Sequence, residues 1–497
     1  MQRDLNQSSI SVTPIIIFGV LSLFFGGFMY WVYPQLPLVP PRASEQAVVT
    51  DHLFQILMGL SGVVFFLVQG LIYYAAIAFR AKEGDYSDGP MIHGNTQLEI
   101  IWTIIPSILV VVIAGLTFMS WRTNTAISDT PNLINGKNIA LHLVGQRFNW
   151  SFEYATKEAN NKGDDITLVS SDLHVYAGQD IDMSLNTRDI LHSFWVPAMR
   201  IKQDLLPGRT ADLRFTPIDP PDDGWHFAGV VGSATIYAAA DETSEVVYEV
   251  AAAAEGEFAE VTHLELVDED AEFNVSDETD EWVAVIAPNG ESGYIVDSNL
   301  TGRYNQYQIV CAELCGGGHG DMGFESVVFL YESEDAMLNS WYNLEIAKNL
   351  EPPAGLVALG EQVISSQGCS GCHTLDALGW TGAIGPALNG IADRAASRAA
   401  ELDGVANGAE YIAQSIRNPN AYVVAGYPSS VMTVFNPNLI AQEDLNAIIS
   451  YLCTQTESGN PVDSTCGLEN LTFDDAGDLI DSDALNAELT SITGEYE

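Results

Sequence analysis

The sequence predicts a membrane-anchored multidomain protein: N-terminal transmembrane helices, then an all-β region, then an all-α domain. Three observations carry this. Uncharged apolar runs at Pro14 to Tyr33, Leu53 to Phe79 and Ile100 to Trp121 are each long enough to cross the ~30 Å hydrocarbon core, which takes about 20 helical residues. From Asn138 onward the pattern changes to short alternating pieces such as Ile139 to Val144 and Ile181 to Leu185, the mark of an antiparallel sandwich or barrel. Beyond a linker at Glu351-Pro-Pro-Ala-Gly355, apolar residues recur at helical spacing in Tyr411 to Arg417 and Leu445 to Leu452.

Composition narrows the function classes. The 497 residues carry a formal net charge of −47, which makes nucleic acid an unsuitable partner, yet 47% of them are hydrophobic, which excludes an acidic disordered chain. Cysteines fall at 311, 315, 369, 372, 453 and 466. Each has a candidate partner, as in a chain exported to an oxidising compartment.

Arg80 and Lys82 lie between the second and third apolar runs. The positive-inside rule puts that loop in the cytoplasm and everything after Arg122 outside. The first run, in residues 1–46, is a leader or an extra transmembrane helix. Its apolar part exceeds the usual 7 to 15 residues of a signal peptide, so the uncleaved helix is the reading we carry forward. Residues 47–125 form a two-helix hairpin. Glu99, in Leu98-Glu99-Ile-Ile-Trp102-Thr-Ile-Ile-Pro106, stands at a membrane boundary, where a carboxylate is either a solvated helix end favoured by the N-terminal dipole or a functional group.

The chemistry concentrates in Cys311-Ala-Glu-Leu-Cys315-Gly-Gly-Gly-His319-Gly-Asp-Met322. Two thiols, an imidazole and a thioether within one loop are soft ligands that select copper. Gly316, Gly317 and Gly318 tolerate backbone angles that let both sulfurs turn to one side. The plain alternative is a Cys311–Cys315 disulfide beside an unrelated histidine. A further histidine, His192, lies upstream in Asp189-Ile-Leu-His192-Ser-Phe-Trp195-Val-Pro197; alone it reads as a core histidine or a ligand.

His192-Ser-Phe-Trp195, the following Pro207-Gly-Arg209 and the Cys311 to Met322 run resemble subunit II of cytochrome c oxidase, the haem-copper oxygen reductase. The resemblance implies a cupredoxin fold and a binuclear CuA centre held by His192, Cys311, Cys315, His319, Met322 and the backbone carbonyl of Glu313. It also implies that the Glu313 side chain faces a magnesium or manganese ion shared with subunit I, a hard cation suited to a carboxylate. The Glu99 segment is similar to one at the mouth of a proton path in that family. Gly145-Gln-Arg-Phe148-Asn-Trp150-Ser-Phe-Glu-Tyr154 resembles the aromatic strand near the copper. Phe148 stands where relatives carry the tryptophan through which a separate cytochrome c donates, and Trp150 matches the second, an electron-transfer candidate. A donor tethered by residues 351–355 has a high effective concentration, so a strong docking surface around Phe148 is not expected.

The cupredoxin is read as residues 126–221 and 302–350, because residues 210–310 separate Arg209 from Cys311 where the family has a short stretch. The insert, 222–301, shows strand-like pieces at Ser233 to Tyr237, Val246 to Val250, Phe258 to Thr262, Trp282 to Ile286 and Gly293 to Val296, with an Asn289-Gly290 turn. It is similar to a small Src-homology-3-like β-barrel. His226 and His263 within it have no ligand spacing.

A last domain, 354–456, opens with Gly368-Cys369-Ser-Gly-Cys372-His373, the Cys-x-x-Cys-His signal for covalent haem c; a thioredoxin-like pair is the alternative. Gly385-Pro386-Ala-Leu388-Asn-Gly390 and Tyr427-Pro428-Ser-Ser-Val-Met432 resemble the proximal loop and distal methionine segment of class I cytochromes c, an all-α fold. The haem residues are thus Cys369, Cys372, His373 and Met432. Relatives usually have proline after the methionine; here it is Thr433. Cys453 and Cys466 are expected to form a disulfide, and residues 457–497 an acidic, mobile tail.

The resemblance implies an electron-transfer subunit of a respiratory cytochrome c oxidase in a prokaryotic cell membrane, multi-pass, with its metal domains on the outer face. It would pass electrons from a small redox-protein donor, such as a cytochrome c or cupredoxin, through haem c and CuA to an oxygen-reducing subunit I, coupled to proton pumping, with subunit III and membrane lipid as neighbours. The alternatives are a CuA subunit of a nitric oxide reductase-like enzyme and a membrane-tethered carrier without a catalytic partner.

Overall fold

The structure, a computed structural model, describes residues 13–36, 39–80, 84, 94–126, 131–220, 224–254, 258–267, 282–320, 322, 326–351, 353, 355–474 and 479–493. Lys82 and Asp222, used above to orient the loop and bound the insert, lie outside them. The chain forms two compact units, residues 1–126 and 127–497.

The first unit is three helices, Thr13–Val32, Glu45–Ala78 and Thr96–Asn124, all long and apolar enough to cross a membrane. The first two approach closely because small residues meet there. A Cβ on Gly26 would stand 2.7 Å from the Gly59 carbonyl oxygen, and one on Gly62 3.3 Å from the Gly26 Cα, so glycine lets the backbones touch. Phe25 and Phe66 stack beside that crossing at 3.9 Å. Asn95 caps the third helix by accepting from the Gln97 and Leu98 amides.

In the second unit two sheets make the β-region. One has five strands in the order Ala211–Phe215, Ile181–Thr187, Ala140–Gln146, Asn149–Ala159 and Asp165–Ser170. The other has nine, running from Val246–Val250 through Ala234–Tyr237, Ser292–Val296, Trp282–Ile286, Val261–Leu266, Phe227–Val231, Gly302–Gln308 and Val327–Tyr331 to Leu173–Tyr176. Alternation along the five-stranded sheet turns Leu143, Phe152, Tyr154 and Leu185 inward, all buried. A small three-stranded sheet, Val310–Cys311, His192–Val196 and Ile201–Leu205, carries the first copper candidates.

The strands of residues 222–301 have a separate apolar cluster around Val230, Ile236, Leu264, Val285 and Ile295. Their sheet is nevertheless continuous with the rest, because Phe227 to Gly229 pair with Tyr304 to Gly302. Phe227–Val231 went unread in the sequence, where its single glycine interrupts a short apolar run. The piece expected from Phe258 begins as a strand only at Val261.

The all-α domain packs Leu356–Ser366 across Gln442–Thr454, with Gly360 placed where any side chain would overlap the Ala447 carbonyl. Cys453 and Cys466 form a disulfide with Cα atoms 5.6 Å apart, closing a loop whose cross-link contributes roughly 3 kcal/mol. The expected mobile tail needs correction: Ser482–Thr493 is a helix. Leu485 and Leu489 are 0% exposed in the domain core, and Asn446 donates to Asn486 and Thr490 at 2.8 and 2.9 Å. Two leucines four apart make an apolar stripe that the surrounding acidic residues concealed.

Candidate metal centres

The copper candidates converge because two strands lie side by side. Cys311 pairs with Phe194, two residues beyond His192, and the Ala312 amide donates to the Ser193 carbonyl at 2.9 Å. The chain then folds back on itself, with the His319 amide on the Gly316 carbonyl and the Met322 amide on the Gly318 carbonyl. Gly316 has φ +127°, and a Cβ at Gly318 would stand 2.7 Å from Phe148 Cγ, so both positions demand glycine.

The resulting ligand atoms face one another. The Cys311 and Cys315 sulfurs are 3.9 Å apart. His192 Nδ1 lies 3.9 Å from Cys311 Sγ, His319 Nδ1 3.4 Å from Cys315 Sγ, Met322 Sδ 3.8 Å from Cys315 Sγ, and the Glu313 carbonyl 3.2 Å from Cys311 Sγ. Both thiols are free and buried. The Cys315 hydrogen bond, with help from His192, pulls the Cys311 thiol down against burial; that same bond and burial push Cys315 up. Two facing sulfurs with one imidazole and one further donor each fit a pair of soft cations.

Asp189 orients His192. It accepts from His192 Nε2 at 2.9 Å, which commits that nitrogen and leaves Nδ1 toward the sulfurs. Burial raises the Asp189 pKa, but hydrogen bonds from His192, Arg147 and Ile190 outweigh it and hold the carboxylate below the usual range. Burial lowers the His192 pKa, and Asp189 and Cys311 reverse that to a net increase. Trp150 is fully buried with its ring edge-on to His192, centroids 6.0 Å apart. Glu99, in the other unit, accepts from the Asn95 amide through Oε1 at 3.2 Å, which makes it part of a helix cap.

Cys369, Cys372, His373 and Met432 line one cavity. Its walls include Ile364, Ile391, Ile412, Ile416, Phe435 and Leu452. His373 Nδ1 donates to the Pro386 carbonyl at 2.7 Å, which commits Nδ1 and leaves Nε2 outside that bond. A Cβ on Gly385 would sit 2.7 Å from His373 Cε1, so the loop lies flat against the ring. Burial pushes the Cys369 thiol up to about 12. An apolar cavity flanked by an imidazole, a thioether and two thiols fits a haem.

The two centres abut. Phe148, 2% exposed, packs against Gly316 and Gly318 on one side, and its carbonyl lies against Gly371 on the other. The Cys372 thiol approaches the Arg147 carbonyl at 3.8 Å. Arg147 Nη1 donates to the Ser430 carbonyl at 2.9 Å, Arg188 Nη1 to Gln367 Oε1 at 2.8 Å, and Thr433 Oγ1 to Asp189 Oδ2 at 3.0 Å. The expectation of a tether without strong docking is overturned: the haem domain is held by a network of hydrogen bonds around a buried phenylalanine. Sequence reasoning missed Asp189, Arg147 and Thr433; the threonine in place of proline was the one signal.

Fold and sites together define a membrane-anchored redox protein with a copper-type thiolate centre and a cytochrome c-type haem pocket. Family models match as "Cytochrome C oxidase subunit II, transmembrane domain" over residues 35–119, "Cytochrome C oxidase subunit II, periplasmic domain" over 139–221 and "Cytochrome c" over 357–456. Cytochrome c oxidase subunit 2 of Alkalihalophilus pseudofirmus is 26% identical, aligned over 84% of this chain and 90% of its own length. The Thermostichus vulcanus protein of that name is 28% identical over 36% of this chain and 66% of its own. The crystal structure of the periplasmic domain of subunit II of cytochrome oxidase from Bradyrhizobium japonicum covers 43% of this chain and 94% of its own at 15% identity, with a TM-score of 0.20. The chain carries the transmembrane and periplasmic domains of cytochrome c oxidase subunit II together with a C-terminal cytochrome c domain. The oxidase domain indicates copper and the cytochrome c domain haem. The periplasmic-domain match ends at 221, so the Cys311 to Met322 loop rests on its own geometry.

Proposed function

We propose that this chain receives electrons from an external donor at its haem domain and delivers them through the copper domain to subunit I of a cytochrome c oxidase, supporting oxygen reduction and proton pumping there. The observation that carries the proposal is the juxtaposition of the two sites across Phe148, with Cys372 against Arg147 on one side and Gly318 on the other. Haem and copper, when bound, supply one-electron chemistry that needs no open coordination position.

The chain's own residues do the rest. Cys311 and Cys315, with His192, His319, Met322 and the Glu313 carbonyl, would hold the copper pair. Cys369 and Cys372 would attach the haem covalently, and His373 and Met432 would supply its ligand atoms. Trp150 and Phe148 exclude water from the space around His192 and the copper loop, which keeps reorganisation small. The Glu313 side chain offers a carboxylate to a magnesium or manganese ion at the subunit I face, and Glu99 one to a proton path. The β- and haem domains stand on the outer side of a prokaryotic membrane.

The test is purification of the membrane complex through a tag on this chain. Co-purification of a haem-copper subunit I, two coppers and one covalent haem per chain, and oxygen consumption with a reduced cytochrome c or cupredoxin are expected. Recovery of a partner that reduces nitric oxide and not oxygen would transfer the chain to the other branch. Recovery of the chain alone, fully loaded, would make it a tethered carrier.

A further inference from the structure

A single carboxylate touches both redox sites. Asp189 Oδ1 accepts from His192 Nε2 at 2.9 Å and from the Ile190 amide at 2.7 Å. Its other oxygen accepts from the Arg147 amide at 2.9 Å, from Arg147 Nε at 3.2 Å and from Thr433 Oγ1 at 3.0 Å. The Asp189 side chain is 4% exposed and Thr433 is 6% exposed, so water does not dilute these bonds. Thr433 immediately follows Met432.

We propose that Asp189 and Thr433 form a positioning bridge that couples the two sites, so that the state of one is read in the reduction potential of the other. The proposal rests on reading His192 and Met432 as ligands. A carboxylate offers about four lone-pair sites, and here they are crowded with donors that polarise one another. An imidazole whose Nδ1 is bound to a cation donates a stronger hydrogen bond from Nε2. Asp189 then carries less charge for its remaining donors, and the Thr433 bond weakens. The backbone at residue 433 is thereby released by a small amount, and Met432 moves with it. The same linkage runs in reverse, because a coupling free energy between two sites is reciprocal. A proline at 433 would fix the loop but could not report. A threonine can report, since its hydroxyl reaches across the domain boundary to Asp189.

The experiment uses the full chain with haem attached. The haem midpoint potential is measured by spectroelectrochemistry with copper loaded and with copper removed by a chelator, and copper affinity is measured by competition. Wild type and Thr433→Ser are expected to show a copper-dependent shift of the haem potential. Thr433→Val is expected to retain two coppers per chain and to lose most of that shift. Asp189→Asn is expected to lower copper affinity about 10- to 100-fold and to abolish the shift at saturating copper, with Thr433→Val adding nothing further in that background. A wild-type potential indifferent to copper overturns the bridge, as does a shift of equal size in Thr433→Val. Met432→Ala separates this from a failure of the ligand reading: an unchanged haem spectrum there removes the ligand itself, whereas a changed spectrum with uncoupled potentials removes only the bridge.

Discussion

The copper loop and the haem pocket adjoin one another but are built on different plans. In the copper loop the donor atoms already contact each other, with sulfur, nitrogen and oxygen separations of 3.2 to 3.9 Å, and strand pairing plus glycine-tolerant packing fixes them. In the haem domain the four named residues surround a cavity whose apolar walls face open space. The first is a site whose donors the polypeptide itself brings together; the second is a pocket with apolar walls. The difference teaches where each site is vulnerable. Copper binding fails through loss of a donor atom, and the haem domain fails through loss of volume.

The strongest way to break the contrast is to prevent haem attachment. Cys369→Ser with Cys372→Ser should remove more than ~4 kcal/mol from the haem domain, the scale of a tightly held ligand, and calorimetry should show its transition vanish while the β-region still melts cooperatively. A haem domain that melts as before would mean its core closes without the cofactor.

Next is the converse. Cys311→Ser should abolish the visible absorption of the copper pair and leave both the haem spectrum and the melting of the haem domain alone, whereas His192→Asn, which removes one terminal donor and no sulfur, should do less. Retention of two coppers per chain in Cys311→Ser would defeat the assignment.

A smaller effect probes the seam between the regions. Phe148→Trp adds atoms where Gly316 and Gly318 leave no room, and overpacking of this kind costs about 1–3 kcal/mol. Limited proteolysis of the linker near Glu351 should accelerate in the variant. Unchanged cleavage would show that the seam does not hold the domains together.

The least of the four concerns the β-region alone. Burial pushes the Asp172 carboxyl up to about 6, against a hydrogen bond from the Val327 amide. The native state therefore binds a proton that the unfolded chain, with an ordinary value near ~3.9, releases. Stability from this group is full below about pH 4 and is lost as pH rises through about 6. Asp172→Asn should gain roughly 1–2 kcal/mol on wild type between pH 4 and 7. Parallel melting-temperature curves for the two proteins would refute the shift.

What the sequence made legible follows from the range of each signal. Cys311 to Met322 and Cys369 to His373 carry their chemistry within a dozen residues, so their patterns are complete in one window. The helices of the first unit are equally plain, because an apolar run reports its own burial in lipid. Asp189 was invisible as more than a turn residue, since its partners Arg147 and Thr433 come from distant stretches. The Ser482–Thr493 helix was hidden because two leucines among acids are a weak stripe, decisive only once Asn446 and the core beneath are in place. The continuity of the nine-stranded sheet depends on the pairing of Gly229 with Gly302, a long-range register that no local alternation encodes.

That register has a consequence for what the scaffold will accept. The chain departs after Val231 and returns at Gly302 on the adjacent strand, with the Thr301 amide on the Gly229 carbonyl at 2.8 Å. The two ends of whatever lies between are therefore clamped at hairpin distance, and the entropy of closing a loop there grows only logarithmically, by about 0.6 kcal/mol per doubling of length. The position is a socket: a fluorescent reporter or an affinity module whose own termini lie close together can be plugged in at residues 232–300 without asking the metal-bearing strands to move.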